Sequence, residues 1–160
     1  MPYGDVVLDD SGRPLVFASA GIGVAPMAGM LSHLAAAGSH LRVLLLHADV
    51  DEESFALRRQ VLHDVRALPG ASAHVWFERG GEATLPVDGA FEGLMDLRDV
   101  ELPRDAAYYL CGPLPFLQAV RAALLDRDVP PHDIQHEVFG PDLWRADLLT
   151  EPSPGARAAV

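Results

Sequence analysis

Short apolar runs alternate along the chain with segments whose apolar positions repeat at helical spacing. Five runs have the length and composition of buried strands, and they cover residues 14–20, 41–48, 72–78, 106–113 and 133–141. Three amphipathic segments predict helices, which cover residues 26 to about 37, 51–68 and 116–129. Residues 79–103 have the composition of a loop, with one short apolar cluster at 93–97.

The regular alternation of strand and helix predicts an α/β fold, a doubly wound sheet of about five parallel strands with helices on both faces. A chain of 160 residues, of which 49% are hydrophobic, can bury the core of one domain. We place this domain at residues 14–141. Residues 142–160 carry little apolar pattern, so a disordered tail is expected there.

The charge and composition of the chain argue against several classes of binding partner and site. The net charge of −11 argues against nucleic acid or an anionic membrane as the main partner. No apolar run approaches the roughly 18 residues that a membrane-spanning helix needs. A single cysteine excludes an internal disulfide framework, which fits a cytoplasmic location. With that one cysteine and scattered histidines, no metal site is predicted.

Glycine-bearing turns follow three of the predicted strands, at residues 21–23, 111–113 and 139–141. Ligands of such sheets bind beyond the carboxyl ends of the strands, so these turns line one edge if the first, fourth and fifth strands are neighbours. Gly21 and Gly23 would let the backbone approach a pyrophosphate, with the N-terminus of the next helix facing the phosphates. A tight strand-to-helix connection explains the same two glycines equally well. Pro26 also departs from the common Gly-x-Gly-x-x-Gly pattern.

Five motifs, taken together and in order, are more specific than the glycine turn alone. They are Gly-x-Gly-x-Ala-Pro-Met at 21–27, His-Ala at 47–48, Gly-Leu-Met-Asp-Leu at 93–97, Tyr-Leu-Cys-Gly-Pro at 109–113 and Glu-Val-Phe-Gly-Pro at 137–141. This series resembles the nicotinamide-nucleotide domain of the ferredoxin–NADP reductase superfamily, and more closely the reductase domain of the flavohaemoglobins, the nitric oxide dioxygenases. The family usually has Thr or Ser where this chain has Ala25.

The resemblance implies a Rossmann-like domain that passes hydride from NADH or NADPH to FAD, and electrons on to haem for nitric oxide dioxygenation. FAD and haem would belong to a flavin domain and a globin domain that this chain does not contain. Residues 1–13 resemble the last strand of the flavin domain and a linker. The isolated chain is therefore expected to bind nucleotide but to need its FAD domain for turnover.

The resemblance also assigns roles to single residues. Cys111 would lie near the hydride-donating carbon of the nicotinamide, and Glu137 near the reacting rings, which gives both a catalytic role. Phe139 would lie against the isoalloxazine. The full set of implied cofactor-binding residues is Gly21, Ile22, Gly23, Val24, Ala25, Pro26, His47, Asp49, Cys111, Gly112, Pro113, Val138, Phe139, Gly140 and Pro141.

The residues after the second predicted strand bear on the choice between NADH and NADPH. A ribose 2′-phosphate would be repelled by the acids there, and a carboxylate can accept hydrogen bonds from a free hydroxyl; the acids are Asp49, Asp51, Glu52 and Glu53. Arg58 and Arg59 lie one to two turns further along the predicted helix, too far to reverse this preference for NADH. An acidic first helical turn, favoured by the helix dipole, explains the acids about as well.

Two other functions stay open at this point. The same domain type serves reductases that feed iron–sulfur proteins or oxygenases, and the residues that choose the acceptor are absent here. A freestanding nucleotide-binding module without catalysis is the third possibility, and Ala25 gives it some support.

Overall fold

Six parallel strands form a single sheet at the centre of the domain. The computed structural model describes residues 8–9, 11–80 and 85–138. The strand order is β4-β3-β2-β1-β5-β6, and the strands are β1 (Leu15–Ala20), β2 (Val43–Asp49), β3 (Ala71–Phe77), β4 (Gly89–Glu92), β5 (Ala107–Gly112) and β6 (Ile134–Val138). The expected neighbours β1, β5 and β6 are confirmed, so the glycine turns that follow β1 and β5 lie at the same edge.

Helices cover both faces of the sheet, as the doubly wound prediction requires. The helices are α1 (Val24–Ala36), α2 (Arg58–Ala67) and α3 (Leu114–Asp126). Alternate residues of β1 belong to different cores: Phe17 packs with the residues of α1 and α2, and Val16 packs with those of α3. Because both faces are buried, the inner strands are apolar throughout, which is why they were predictable as continuous runs.

The sixth strand, β4, lies in a segment where the sequence predicted only a loop. It has four residues and pairs with the edge of β3 from Gly89 to Glu92. Asp88 holds its start, since its Oδ2 accepts a hydrogen bond from the Ala73 N–H at 2.7 Å. Phe91 stacks on Trp76 with the ring centroids 5.2 Å apart. These contacts join residues far apart in sequence, so no local apolar pattern marks the strand.

The second helix is shorter than predicted, because residues 51–57 form turns instead of its first two turns. The Asp51 carboxylate accepts hydrogen bonds from the Ser54 N–H and hydroxyl at 2.8 and 2.7 Å. Leu57 then has a left-handed backbone, with φ of 57°. A side chain that bonds to a nearby backbone group competes with helix formation, and here the turn is favoured. The explanation of the acids by a helix dipole is therefore wrong.

The termini of the predicted domain lie largely outside the described residues. This applies to most of the expected flavin-domain strand and linker at 1–13, to residues 139–141 and to the expected tail at 142–160. Within the described part, Arg13 donates to the Asp133 carboxylate at 2.9 Å and to the Ala106 carbonyl at 3.0 Å. No helix among the described residues is long and apolar enough to cross a membrane.

The two glycines of the turn between β1 and α1 should respond differently to alanine. A Cβ on Gly23 would lie 2.1 Å from the Cys111 carbonyl oxygen, whereas one on Gly21 would meet nothing within 4 Å. Gly23→Ala should lower the free energy of unfolding by about 3 kcal/mol through overpacking. Gly21→Ala should cost about 1 kcal/mol, because Gly21 has a φ of 56°. Denaturant unfolding measures both values, and equal losses would contradict the contact with β5.

Candidate functional site

A cleft of about 440 Å³ lies beyond the carboxyl ends of the inner strands. One wall comes from the ends of β1 and β2, where Gly21 and Asp49 line the cleft, and Glu78 follows β3. The opposite wall comes from the loop 93–95 and from Pro113 and Phe116 at the start of α3. The carboxyl edge of an open α/β sheet is where this architecture binds ligands.

The turn that begins α1 presents backbone N–H groups instead of side chains. Gly21–Gly23 forms one turn of 3-10 helix and leads directly into α1. Gly23, Val24 and Pro26 are buried, Ala25 is half-buried, and Ile22 is 53% exposed. No side chain caps the N-terminus of α1, and its first turn carries no acid. The positive end of the helix dipole is thus open to an anion.

Four polar or reactive side chains form a row across the sheet, one or two residues before the strand ends. His47 on β2 pairs with Ser19 on β1, Ser19 with Cys111 on β5, and Cys111 with Glu137 on β6. Partners in a parallel register point to the same face, here the face covered by α1. The structure therefore brings the two predicted catalytic residues, Cys111 and Glu137, side by side.

The Cys111 thiol is held in its neutral form. Its side chain is buried in the core beneath α1, with 1% of the residue exposed. This burial, together with the negative charge of Glu137, raises the pKa of the thiol far above its usual value. A neutral, buried thiol is a poor nucleophile, so this geometry does not support covalent chemistry at Cys111, and neither Cys111 nor Glu137 lines the cleft.

The end of β5 continues this wall of the site. A Cβ on Gly112 would lie 2.8 Å from the ring of Phe116, so glycine is needed for α3 to pack closely. Pro113 precedes α3 and lines the cleft. Val138 pairs with Gly112 and is buried. The remaining predicted residues of this wall, Phe139, Gly140 and Pro141, lie outside the described residues.

His47 is buried behind Asp49 and does not line the cleft. Its Nδ1 lies 2.9 Å from the Ser19 hydroxyl, and its Nε2 lies 3.0 Å from Oδ2 of Asp49. The ring packs on Phe55 with a centroid distance of 4.1 Å. Burial is the main cause that lowers the pKa of His47, while Asp49 opposes the shift.

Of the four acids that were expected to select the nucleotide, only Asp49 lines the cleft. The Asp51 carboxylate is engaged with Ser54 in the following turn. Arg58 is the first residue of α2, where its guanidinium donates to the Glu52 carbonyl at 2.6 Å, and it does not line the cleft. The proposed selectivity therefore rests on fewer residues than the sequence indicated.

Several residues of the cleft are not identified by the sequence motifs that predict the site. Glu78 lines the cleft directly after β3, although it was not among the predicted site residues. The loop 93–95 belongs to the Gly-Leu-Met-Asp-Leu motif, for which no site role was predicted, and Leu94 there is 75% exposed. Phe116 is the third residue of α3. The Gly-Leu-Met-Asp-Leu motif is the sequence signal that could have located the loop 93–95 of this second wall, whose Pro113 the sequence had predicted.

A family model for the oxidoreductase NAD-binding domain matches residues 17–122. The chain belongs to this family. The match covers β1 to most of α3, and so includes the glycine turn, the acid at the end of β2 and the cysteine of β5.

Curated and structural relatives of this NAD-binding domain include flavohaemoproteins. It is 41% identical over 144 residues to the flavohemoprotein of Bordetella pertussis, covering 87% of this chain and 36% of that protein. A solved flavohem-like FAD/NAD-binding domain of nitric oxide dioxygenase from Vibrio cholerae is 33% identical with a TM-score of 0.77, covering 86% of this chain and 56% of the other. The structure of flavohemoglobin from Malassezia yamatoensis, solved with FAD and heme, is 29% identical with a TM-score of 0.74. The match covers 83% of this chain and 33% of that protein.

These comparisons confirm the family resemblance and the fold class, with six strands in place of five. The chain spans about a third of the length of the B. pertussis relative, 36%. The similarity is lower for the Amycolatopsis cytochrome P450 reductase GcoB, at 25% identity and a TM-score of 0.65, covering 83% of this chain and 39% of that one.

The buried thiol should resist chemical modification in the native NAD-binding domain. Because Cys111 is both shielded and protonated, we expect its reaction with an alkylating reagent at neutral pH to be slower by about a hundredfold or more than in denaturant. Mass spectrometry of the labelled chain over time measures this ratio. Since Cys111 is the one cysteine of the sequence, no other thiol interferes. Equal rates would show that the thiol is open to solvent.

The stability of the domain should fall in mild acid through His47. The folded state keeps the pKa of His47 below its ordinary value of 6.5, so below about pH 6.5 the unfolded state binds a proton that the folded state does not. Stability is full above pH 6.5 and is lost as the pH falls towards the folded pKa, by up to about 1.4 kcal/mol per pH unit.

The measurement is the free energy of unfolding between pH 7 and pH 5. His47→Gln should reduce the slope in this window, and the same substitution at the exposed His63 controls for the loss of one histidine. An unchanged slope in His47→Gln would show that other groups cause the acid sensitivity.

Proposed function

We propose that this chain is the NADH-binding reductase domain of a flavohaemoglobin-type nitric oxide dioxygenase. The observation that carries the proposal is the joint position of three features at one sheet edge: the uncapped glycine turn, the cleft, and the Cys111–Glu137 pair. The family match and the flavohaemoprotein relatives support it. The lone thiol fits a cytoplasmic protein.

The residues of the site fit a dinucleotide lying across the sheet edge. Its pyrophosphate would face Gly21 and the N–H groups at the start of α1. Its adenosine ribose would lie towards Asp49 and Glu78, at the ends of β2 and β3. Its nicotinamide would lie towards Cys111 and Glu137, at the ends of β5 and β6.

The cofactors supply the redox chemistry, a hydride donated by NADH and accepted by FAD. The protein contributes binding, orientation and exclusion of water. Cys111, a neutral and buried thiol, would support the reacting end of the nicotinamide without competing for it as a nucleophile. Glu137 would place its negative charge beside the reacting rings. Phe139, Gly140 and Pro141 would shape the contact with the isoalloxazine.

FAD and haem would be held by a flavin domain and a globin domain outside this sequence. The M. yamatoensis relative was solved with both groups bound, and the V. cholerae relative is named an FAD/NAD-binding domain. The region before β1 would form the end of the flavin domain and the linker. The lower similarity to GcoB disfavours a reductase that serves a different acceptor.

NADH is the proposed substrate in preference to NADPH. Two carboxylates, Asp49 and Glu78, line the part of the cleft where the ribose would lie. A 2′-phosphate placed there would be repelled, whereas free ribose hydroxyls could donate hydrogen bonds to Asp49.

Reconstitution tests the proposal. The chain is mixed with the FAD-loaded flavin domain of the V. cholerae relative expressed without its own nucleotide domain, and NADH-dependent flavin reduction is followed by stopped-flow absorbance. We expect reduction to need this chain, and Gly21→Val to lower its rate by about a hundredfold, because a side chain would enter the space of the phosphates.

Gly38→Val is the matched control. Gly38 has a left-handed backbone like that of Gly21, with φ of 63° against 56°, and a Cβ added at either glycine would meet nothing within 4 Å. Gly38 lies after α1, away from the cleft, so its variant should carry similar backbone strain and keep the wild-type rate. Absence of NADH binding by the wild-type chain would refute the proposal.

A further inference from the structure

A buried chain of hydrogen bonds lies behind the wall of the cleft and takes no direct part in the proposed cofactor contacts. It runs from the Ser19 hydroxyl to Nδ1 of His47 at 2.9 Å, and from Nε2 of His47 to Oδ2 of Asp49 at 3.0 Å. Ser19 and His47 have no measurable solvent exposure, both being 0% exposed. Asp49 is the last member of this chain of hydrogen bonds, and of the three side chains it is the one that lines the cleft.

The chemistry of Ser19, His47 and Asp49 determines which group donates and which accepts in each of the two hydrogen bonds. An ionised carboxylate can only accept hydrogen bonds, so Nε2 of His47 carries the proton and donates it to Asp49. In the neutral ring Nδ1 is then an acceptor, and the Ser19 hydroxyl donates to it. Asp49 thereby sets the tautomer of His47, and the Ser19 hydroxyl adapts to it by donating to Nδ1.

The packing around His47 holds its ring in the orientation that brings Nε2 to Asp49. Ser19 and His47 are register partners on β1 and β2, and Asp49 follows His47 on the same face of β2. The ring of Phe55, itself buried, lies 4.1 Å from that of His47. His47 therefore cannot turn away without disturbing the core between two central strands and the following loop.

Asp49 is held from two sides. Its Oδ2 accepts from His47, and its Oδ1 accepts from the Val50 N–H at 3.0 Å. The side chain is only 6% exposed, although the residue lines the cleft. A carboxylate with both oxygens engaged keeps one orientation, and each oxygen retains a lone pair for a further donor.

We propose that His47 is a positioning residue for nucleotide selectivity, which acts by holding the Asp49 carboxylate towards the ribose of the bound dinucleotide. His47 touches neither ligand nor reacting atoms, and it acts only through Asp49. This inference rests on the proposed function, since it assigns a selectivity role within the same cleft. Ser19 supports the same arrangement, because its hydroxyl donates to Nδ1 of the buried ring.

Two substitutions of His47 separate positioning from a general structural role. The amide nitrogen of Gln in His47→Gln reaches the place of Nε2 and can still donate to Asp49. The amide of Asn in His47→Asn reaches only the place of Nδ1, so it keeps a partner for Ser19 but leaves Asp49 without its donor. Asp49→Asn retains the shape of the acceptor and removes its charge.

The measured quantity is the ratio of the NADPH and NADH dissociation constants, obtained by calorimetry with the full chain at one pH and salt concentration. We expect Asp49→Asn to lower this ratio about tenfold, the scale of one charge-assisted hydrogen bond. His47→Asn should lower it at least about threefold, and His47→Gln should keep it within about twofold. A purely structural His47 would weaken both nucleotides alike and leave the ratio unchanged, which would overturn the inference.

Ser19→Ala keeps the test decisive if a variant at position 47 fails to fold. Loss of the hydroxyl leaves Nδ1 of His47 without its donor and the ring less firmly held, so the ratio should fall in the same direction, by about twofold. A wild-type ratio in folded Ser19→Ala would contradict the proposal. In wild type, ¹⁵N spectra of the histidine-labelled chain should show His47 protonated at Nε2, and protonation at Nδ1 would also contradict it.

The two levels of the proposal fail in different ways. A wild-type chain that binds neither nucleotide refutes the proposed function and this inference with it. If the wild-type chain binds NADH but the ratio of the NADPH and NADH dissociation constants does not change in the Asp49 and His47 variants, the reductase function stands. Only the selectivity role is then refuted.

Discussion

The close approach of α1 to β5 is the constraint on which the geometry of the site depends. The turn after β1 brings Gly23 against the Cys111–Gly112 peptide, where any Cβ would lie 2.1 Å from a carbonyl oxygen. This contact places the uncapped N-terminus of α1 over the boundary between β1 and β5. In the proposed function, the phosphate site and the nicotinamide site would therefore lie on neighbouring strands, and the same helix buries Cys111.

Burying a polar row beneath α1 requires that each of its members be compensated. Ser19 and His47 achieve this through hydrogen bonds to each other and to Asp49. Cys111 remains a neutral thiol, because burial and the adjacent Glu137 disfavour its ionised form. The middle of the row, Ser19, His47 and Cys111, is therefore neutral, and the charged groups beside it are Glu137 at one end and Asp49, which follows His47 on β2.

The division of the cleft between two walls explains how one small domain can hold a long ligand. The strand-end wall supplies glycine turns and carboxylates, which are positioned by the sheet register. The other wall is apolar, with Leu94 exposed beside the ring of Phe116. Polar groups on one side would orient the dinucleotide, and the apolar side would bury its rings, the usual division of labour in such pockets.

The sequence by itself determined the parallel sheet and the glycine turns after β1 and β5, because continuous apolar runs and strand-end glycines are local signals, whereas the order of the strands came from the structure. It also located Cys111 and Glu137 through motifs, although their adjacency depended on the register of β5 and β6. Only the tertiary structure decided the strand β4, the start of α2 at Arg58, the place of Glu78 in the cleft and the position of His47 behind Asp49. Each of these depends on contacts between residues distant in sequence, such as Asp88 with Ala73 or Ser19 with His47, or on a turn whose side-chain hydrogen bonds outweigh helical periodicity.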